Sequence, residues 1–394
     1  MRQFSERMQF VQHSATIELS DQIKKMRQEG EDVISLAAAR PDFDSPAIVK
    51  EAAVRALQSG NKYTTYTESR GLFELREAVS DKLLDENQIH ANPETEVLIT
   101  VGAREAIFCA LQALIDPGDE VLVFDPSWLT YQSAIHLAGG KPVPLPLTEE
   151  HNFYPNLNHL EQSAEKGSVL ILNTPNNPTG AVFTPAEIQN IADIAVKKDL
   201  IVITDEIYED FLYEDSEHLS IASIDEMKQR TITCSSCSKG WAMTGWRVGF
   251  AAGPSDIIDK MLAVHQHLVS SPCAFAQKGA VKAFTEARSA VLDMVSAYRN
   301  RRKILLEGLG ELAPIQFIPP EGACFFFVHF PAAQESSEEL SAHFLDNAHL
   351  GLTPGSAFGD AGEGYLRLSF AGVSKEKLPE VLMRLDKGIK RLGI

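Results

Sequence analysis

The stretch LIVITDEIY (Leu200–Tyr208) runs four apolar residues into a threonine and then sets down two carboxylates, Asp205 and Glu206. An unbroken apolar run rich in β-branched residues is the mark of a strand covered on both faces. The same form recurs in EVLITV (Glu96–Val101), EVLVF (Glu120–Phe124), SVLIL (Ser168–Leu172), Thr231–Cys234 and Arg247–Ala251. Helical segments lie between these runs. One covers Ala103–Leu114 and stops at Asp116-Pro117-Gly118. Another opens at Thr184-Pro185-Ala186-Glu187, with threonine as cap, proline in the first helical position and glutamate closing a capping box. Strands alternating with helices predict an α/β architecture, with a mainly parallel sheet flanked by helices on both faces.

Beyond residue 286 the pattern changes. A long charged helix near Ala290–Leu312 leads to CFFFVHF (Cys324–Phe330), a further helix, GYLRLSF (Gly364–Phe370) and a final helix. This predicts a smaller α+β domain. The expected organisation is an N-terminal arm over 1–12, a small domain made of 13–45 with 286–394, and a large α/β domain over 46–285. The 394 residues, 44% apolar and 23% charged, suffice for two such cores. There is no repeat, low-complexity tract or linker.

The net charge of −18 argues against binding to nucleic acid or to an anionic membrane. No apolar run approaches the ~20 residues of a membrane span. Met1–Gln12 lacks the apolar centre of a signal peptide, so a cytoplasmic location is expected. The five cysteines are too few for a disulfide framework. Cys234 and Cys237 form a lone CxxC. With no second CxxC or HxxxH, no metal site is expected, and the pair reads as two semi-buried thiols beside a site.

In open α/β sheets ligands bind beyond the carboxyl ends of the strands. Three such ends carry reactive groups. Ser236-Cys237-Ser238-Lys239 follows the run Thr231–Cys234. A solvated lysine is protonated and inert, whereas one buried near other cations can attack an aldehyde. Arg247 would add a cation for a phosphate. Asp205 ends an apolar strand, where a carboxylate is costly without a partner. It could hold a proton on a pyridine nitrogen and so make the ring an electron sink, with Tyr208 donating to a ring phenolate. The alternative is a helix N-cap. NTPNNPTG (Asn173–Gly180) is either a tight loop or an asparagine aimed at a ligand between prolines. Gly102-Ala103-Arg104-Glu105 opens a helix after a strand, a place where backbone N–H groups bind anions.

These segments, together with SATIELSDQIKKM (Ser14–Met26), ISLAAARPDFDSP (Ile34–Pro46), YTESRGLFELREA (Tyr66–Ala78) and SKGWAMTGWRVGF (Ser238–Phe250), give the chain a resemblance to the class I aminotransferases, of the bacterial aspartate-aminotransferase-like branch. The resemblance covers nearly the whole chain. It implies the PLP-dependent transferase fold type I and pyridoxal 5'-phosphate as cofactor. Lys239 resembles the Schiff-base lysine, which also moves the proton between Cα and C4′. Asp205 resembles the partner of the ring nitrogen, and Tyr208 and Asn177 the donors to the ring oxygen. Trp128 resembles the aromatic residue on the ring face, with Tyr131 orienting Asp205. The phosphate falls to Gly102, Ala103, Arg104, Ser236 and Arg247. Tyr66 resembles the tyrosine that reaches the phosphate from the neighbouring subunit, which implies a homodimer with shared active sites. Arg367 resembles the arginine that grips the substrate α-carboxylate with its planar fork.

The chain departs from the family in AAARPDF, where Ala39 replaces a glycine whose backbone approaches the substrate carboxylate and Arg40 replaces a glutamate. Arg104 stands where acidic-substrate members carry a lysine, and Ser14 and Thr16 match assisting hydroxyls. The expected reaction is a ping-pong transamination between an L-amino acid, aspartate before glutamate, and a 2-oxo acid, 2-oxoglutarate first. The alternatives are an aminotransferase for aromatic or other amino acids, and a C–S lyase or cyclopropane-forming synthase on the same fold. A transcriptional regulator would need a basic helix-turn-helix that the chain has no room for. A nicotinamide enzyme would need a GxGxxG after a strand, and Gly308-Leu309-Gly310 sits at a helix end without the third glycine.

Overall fold

Apolar runs that no polar residue interrupts are best satisfied between two layers, and the strands they form are buried along their length. The computed structural model describes residues 4–11, 13–164 and 169–393. Residues 1–3 and Gln12 of the expected arm, and Ser168 of one expected strand, lie outside them. In chain order the strands are β1 (Ile34–Ser35), β2 (Val97–Thr100), β3 (Glu120–Asp125), β4 (Lys141–Pro146), β5 (Val169–Asn173), β6 (Ile201–Asp205), β7 (Thr231–Ser236), β8 (Gly249–Ala252), β9 (Gln316–Phe317), β10 (Phe325–His329), β11 (Leu350–Gly351), β12 (Thr353–Pro354) and β13 (Tyr365–Ser369).

Seven of them form one sheet in the order β2-β8-β7-β6-β5-β3-β4. All run parallel except β8, which is antiparallel to both of its neighbours, β2 and β7. β4 reads KPVPLP and was not expected from the sequence. Its prolines cannot donate to a ladder, and it is tolerated because it lies at the sheet edge with β3 as its partner. The strand expected from Arg247 begins two residues later, because Arg247 itself has φ 57°. The helices Ala103–Leu114 and Pro185–Lys197 pack on this sheet. The second has the capping box predicted for it, with the Glu187 N–H donating to Thr184 Oγ1 at 3.3 Å.

A second, antiparallel sheet has the order β12-β13-β10-β9, with Phe327 opposite Arg367. The helix Arg288–Gly310 precedes it, two residues upstream of its expected span. The early chain packs here as well. β1 pairs in parallel with β11, and Leu19, Ile23, Val33 and Ala37 cluster with Leu345. A continuous apolar core runs from Val97 and Phe250 through Tyr208 and Phe211 to Phe325 and Phe370, so the two sheets share buried contacts.

The two cysteines of the CxxC are more deeply placed than semi-buried. Both are almost fully buried, Cys234 in the cluster with Leu98 and Ile203, Cys237 in the one with Tyr208 and Trp241. Burial pushes both thiols above their ordinary value. They belong to different apolar clusters. Among the described residues no helix is long and apolar enough to cross a membrane.

Candidate active site

Parallel strands that end in register bring their last polar residues side by side. Asn173 closes β5 and Asp205 closes β6, and their Cα positions are paired across the ladder. Asn173 Nδ2 donates to the Asp205 carbonyl at 2.9 Å, while its Oδ1 accepts the N–H of Asn177 at 3.0 Å. The loop that follows is therefore pinned to the strand that precedes it, and Asn177 is buried. No helix follows Asp205, so the N-cap reading fails. Its carboxylate accepts the Tyr131 hydroxyl at 2.7 Å and the Ile207 N–H at 3.3 Å. Burial pushes the carboxyl up to about 6, against the hydrogen bond from Tyr131.

Lys239 lies in the turn after β7, where its Nζ donates to the carbonyl of Ala39 and sits 5.9 Å from the centre of the Tyr208 ring. Burial lowers its pKa to about 8, with Arg367 and Arg247 adding to the fall and Cys324 and Asp205 opposing it. The amine is thus a base near neutral pH, as a lysine nucleophile must be.

β8 returns beside β7 and packs hard on the start of the helix Ala103–Leu114. A Cβ at Gly249 would lie 2.6 Å from the carbonyl carbon of Gly102 and 2.7 Å from the nitrogen of Ala103, and one at Gly102 would lie 2.5 Å from an Arg247 nitrogen. Two glycines therefore let a helix N-terminus, a guanidinium and Ser236 share one corner. The first N–H groups of a helix have no intrahelical partners, so this corner is a ready anion cradle. Arg247 is held there by its bonds to the carbonyls of Val101, at 3.0 Å, and Thr244, at 3.2 Å.

Arg367 comes from β13. It is 2% exposed and clamped between Phe325 and Phe358, each 4.6 Å from its guanidinium carbon. It donates to Asn177 Oδ1 at 2.8 Å, to Thr353 Oγ1 at 3.4 Å and to the Ala37 carbonyl. Its Nε is buried with no partner. Burial lowers its pKa to about 10, which leaves it charged at neutral pH.

These groups share a cavity of about 470 Å³. Lys239, Asp205, Tyr208, Asn177, Ser236, Ala103, Arg247 and Arg367 line it, with Trp128 edge-on to Tyr131 at 5.4 Å. Ala39, Arg40, Arg104, Ser14 and Thr16 line it too. The Arg104 guanidinium lies 4.9 Å from the Trp128 ring, and burial with the nearby charge of Arg247 lowers its pKa. Two expected residues do not face the cavity. Gly102 stands behind Ala103 as the helix cap, and Tyr66 is 88% exposed elsewhere on the surface. Reading the sequence missed Ile17 and Leu129, which add apolar wall, and the supports of Arg367, namely Phe325, Phe358 and Thr353. No local pattern marks those supports, because Phe325 and Thr353 meet Arg367 only through the register of β10, β12 and β13, and Phe358 reaches it from the turn Gly355–Phe358.

The model of the family described as aminotransferase class I and II matches residues 31–385. The chain is 43% identical to an aspartate aminotransferase of Pyrococcus abyssi and 41% identical to an aromatic-amino-acid aminotransferase of Thermococcus litoralis, with 98% of each chain covered in both cases. The structure is similar to that of the aspartate aminotransferase from Thermus thermophilus with maleate, at a TM-score of 0.92 and 36% identity, covering 98% of this chain and all of that one.

Proposed function

The chain belongs to the class I and II aminotransferases, enzymes that work with pyridoxal phosphate, and on that footing we propose that its preferred amino donor is a dicarboxylic amino acid, aspartate before glutamate, with 2-oxoglutarate as acceptor. The observation that carries the proposal is Arg104. Its guanidinium lines the cavity beside Ser14 and Thr16 and makes no ion pair with any described residue. A cation and two hydroxyls, in the cavity that also holds Arg367, suit a substrate with a carboxylate at each end.

The residues present fit the cofactor. The corner of Gly102, Ala103, Arg104, Ser236 and Arg247 suits a phosphate, and the backbone clearance at Gly249 and Gly102 is what keeps it open. Asp205, buried and anchored by Tyr131, suits the ring nitrogen. Tyr208 and Asn177 suit the ring oxygen, and Trp128 the ring face. When bound, pyridoxal phosphate supplies an electron sink for charge developing at the substrate Cα. Lys239, the amine in the cavity, would hold the cofactor through its aldehyde and would be the base that moves the proton at the substrate Cα. Arg367, which lines the same cavity as Lys239, would bind the α-carboxylate. Asp205 keeps the ring nitrogen protonated. Transamination follows in two half-reactions.

Arg104→Ala is expected to lower kcat/KM for aspartate and glutamate by about 10- to 100-fold, the loss of one charge-assisted contact of ~1.5–3 kcal/mol, and to leave alanine within about 2-fold. Its backbone N–H stays in the anion corner, so the cofactor site is spared. An equal loss for alanine and aspartate would contradict this reading. A second reading, an aromatic amino donor, draws on Ile17 and Leu129, whose apolar side chains line the same cavity. A half-reaction panel in which phenylalanine and tyrosine react faster than aspartate would select it.

The low pKa of Lys239 has its own consequence. Only the neutral amine adds to an aldehyde, so the rate at which Lys239 captures the cofactor should rise about tenfold between pH 7 and 9 and then level off. Stopped-flow mixing of cofactor-free protein with pyridoxal phosphate measures it. A rate that climbs without levelling to pH 10.5 would assign Lys239 the pKa of a solvated lysine.

The chain is further proposed to act in the cytoplasm as a homodimer, its domains bounded as the sequence suggests. Tyr66 supports the dimer, being exposed on its own protomer and outside its own cavity. Val54, Leu57, Leu268 and Val269 add exposed apolar surface of the kind that associates. Co-expressed Tyr66→Ala and Lys239→Ala chains would then regain activity in mixed dimers that neither homodimer has in full.

A further inference from the structure

Asp205 and Glu206 are consecutive, and the Glu206 N–H continues the sheet ladder by donating to the Cys234 carbonyl at 3.0 Å. Side chains alternate along an extended chain, so the two carboxylates leave in opposite directions. Asp205 lines the cavity. Glu206 does not, and is 1% exposed in a second buried cluster.

Ser220 Oγ donates to Glu206 at 2.6 Å, Thr204 Oγ1 at 3.3 Å and Asn87 Nδ2 at 3.4 Å, while His218 Nε2 lies 3.2 Å away. The helix Phe73–Asn87 adds Lys82, whose Nζ is 2.6 Å from Asn87 Oδ1 and 2.6 Å from Glu209, and Glu86 at 3.5 Å. Asp210, from the same turn as Glu209, binds Arg288, which also reaches Glu86 at 3.2 Å. Glu206, Glu209 and His218 offer atoms within 4.8 Å of one another, the spacing of a cation's shell. The Lys82 ammonium lies at one edge of this group, paired with Glu209.

Four carboxylates, Glu86, Glu206, Glu209 and Asp210, thus face two permanent cations, Lys82 and Arg288. The third positive charge falls to His218. Burial alone would discharge it, but Glu206 and Glu209 outweigh burial and raise its pKa above the ordinary 6.5. The Glu206 charge is felt through the strand as well: after burial, it helps to raise the pKa of the Asp205 carboxyl.

We propose that Glu206 and His218 are positioning residues for transamination: from behind the strand they fix the turn that carries Asp205 and Tyr208, and their opposed charges set how firmly the Asp205–ring nitrogen pair holds its proton. The proposal rests on the reading of Asp205 as the partner of that nitrogen. Glu206→Gln keeps the shape and the Ser220 contact but removes a negative charge, so the pair should release its proton more readily. His218→Gln removes the compensating positive charge, so the pair should hold it more firmly.

The test is a pH titration of the ring nitrogen of bound ¹⁵N-labelled pyridoxal phosphate, followed by NMR in each holoenzyme. The midpoint should fall by about one unit in Glu206→Gln and rise in His218→Gln, by an amount of the same order. Damage to the fold alone does not shift a midpoint in opposite directions for opposite charges. Shifts of the same sign, or wild-type midpoints in both, would overturn the proposal. Asp205→Asn separates the two layers of the argument. If it leaves the midpoint unmoved, the assignment of Asp205 fails and this proposal with it. If it moves the midpoint while the other two do not, only this proposal fails. Should His218→Gln not fold, the same coupling is readable from the other end, since linkage is reciprocal. The His218 imidazole, followed by NMR, should titrate at a different pH in Asp205→Asn than in the unsubstituted chain, and identical curves would count against the coupling.

Discussion

Lys239→Ala is expected to lower transamination of aspartate by at least ~10⁴-fold, since general acid–base assistance alone is worth up to about that factor and the covalent step is lost with it. The substitution removes the amine that stands among Tyr208, Asp205 and Arg367, and no other described lysine lines the cavity. The anion corner and the Asp205–Tyr131 pair are untouched, so the cofactor should stay bound without its covalent link. Single-turnover mixing with aspartate measures the rate, and dialysis against buffer measures retention. Turnover within tenfold of the unsubstituted enzyme would remove Lys239 from the reaction.

Arg367→Ala should weaken every amino acid. Truncating one partner of a buried, hydrogen-bonded charge pair costs about 2–5 kcal/mol, or roughly 30- to 5,000-fold in kcat/KM. The upper part of that range applies here, because the guanidinium is fixed before substrate arrives. Phe325 and Phe358 hold its two faces, and Asn177 and Thr353 hold its edge. Alanine and aspartate should lose comparable factors, in contrast to Arg104→Ala. Arg367→Lys keeps the charge but not the fork, and should recover only part of the loss. A loss confined to aspartate would make Arg367 a reader of the side chain.

Much of the large sheet could be read directly, because β5 and β6 are apolar runs that end abruptly on Asn173 and Asp205, and such ends are where a parallel sheet presents its chemistry. The helix over Ala103–Leu114 was legible for a similar reason, with a glycine at one end and a Pro-Gly stop at the other. β4 was hidden by its prolines, which mark an edge strand only once its neighbour is known. β8 was shifted because a left-handed residue, Arg247, breaks its start, and nothing in GFAA states that it runs against the other strands. The clamp on Arg367 was beyond reach, since Phe325 and Phe358 come from a strand and a turn whose register no local rule supplies. The roles of Ser14 and Thr16 came from resemblance alone, and the structure adds that they line the cavity.

β8 stands between β2 and β7, and among the described residues it is the only strand that β2 pairs with. While the chain is being made, therefore, β2 emerges with no partner. The parallel strands from β3 to β7 can assemble in turn, but Val97–Thr100 must wait until Ala252 has been added. At ~5–20 residues per second that delay is roughly 8–30 s, during which a buried, mostly apolar strand has no partner. The same hairpin-like return that closes the sheet also carries Lys239 and Arg247, so a chain stopped short of β8 lacks at once the partner of β2 and the guanidinium of the anion corner.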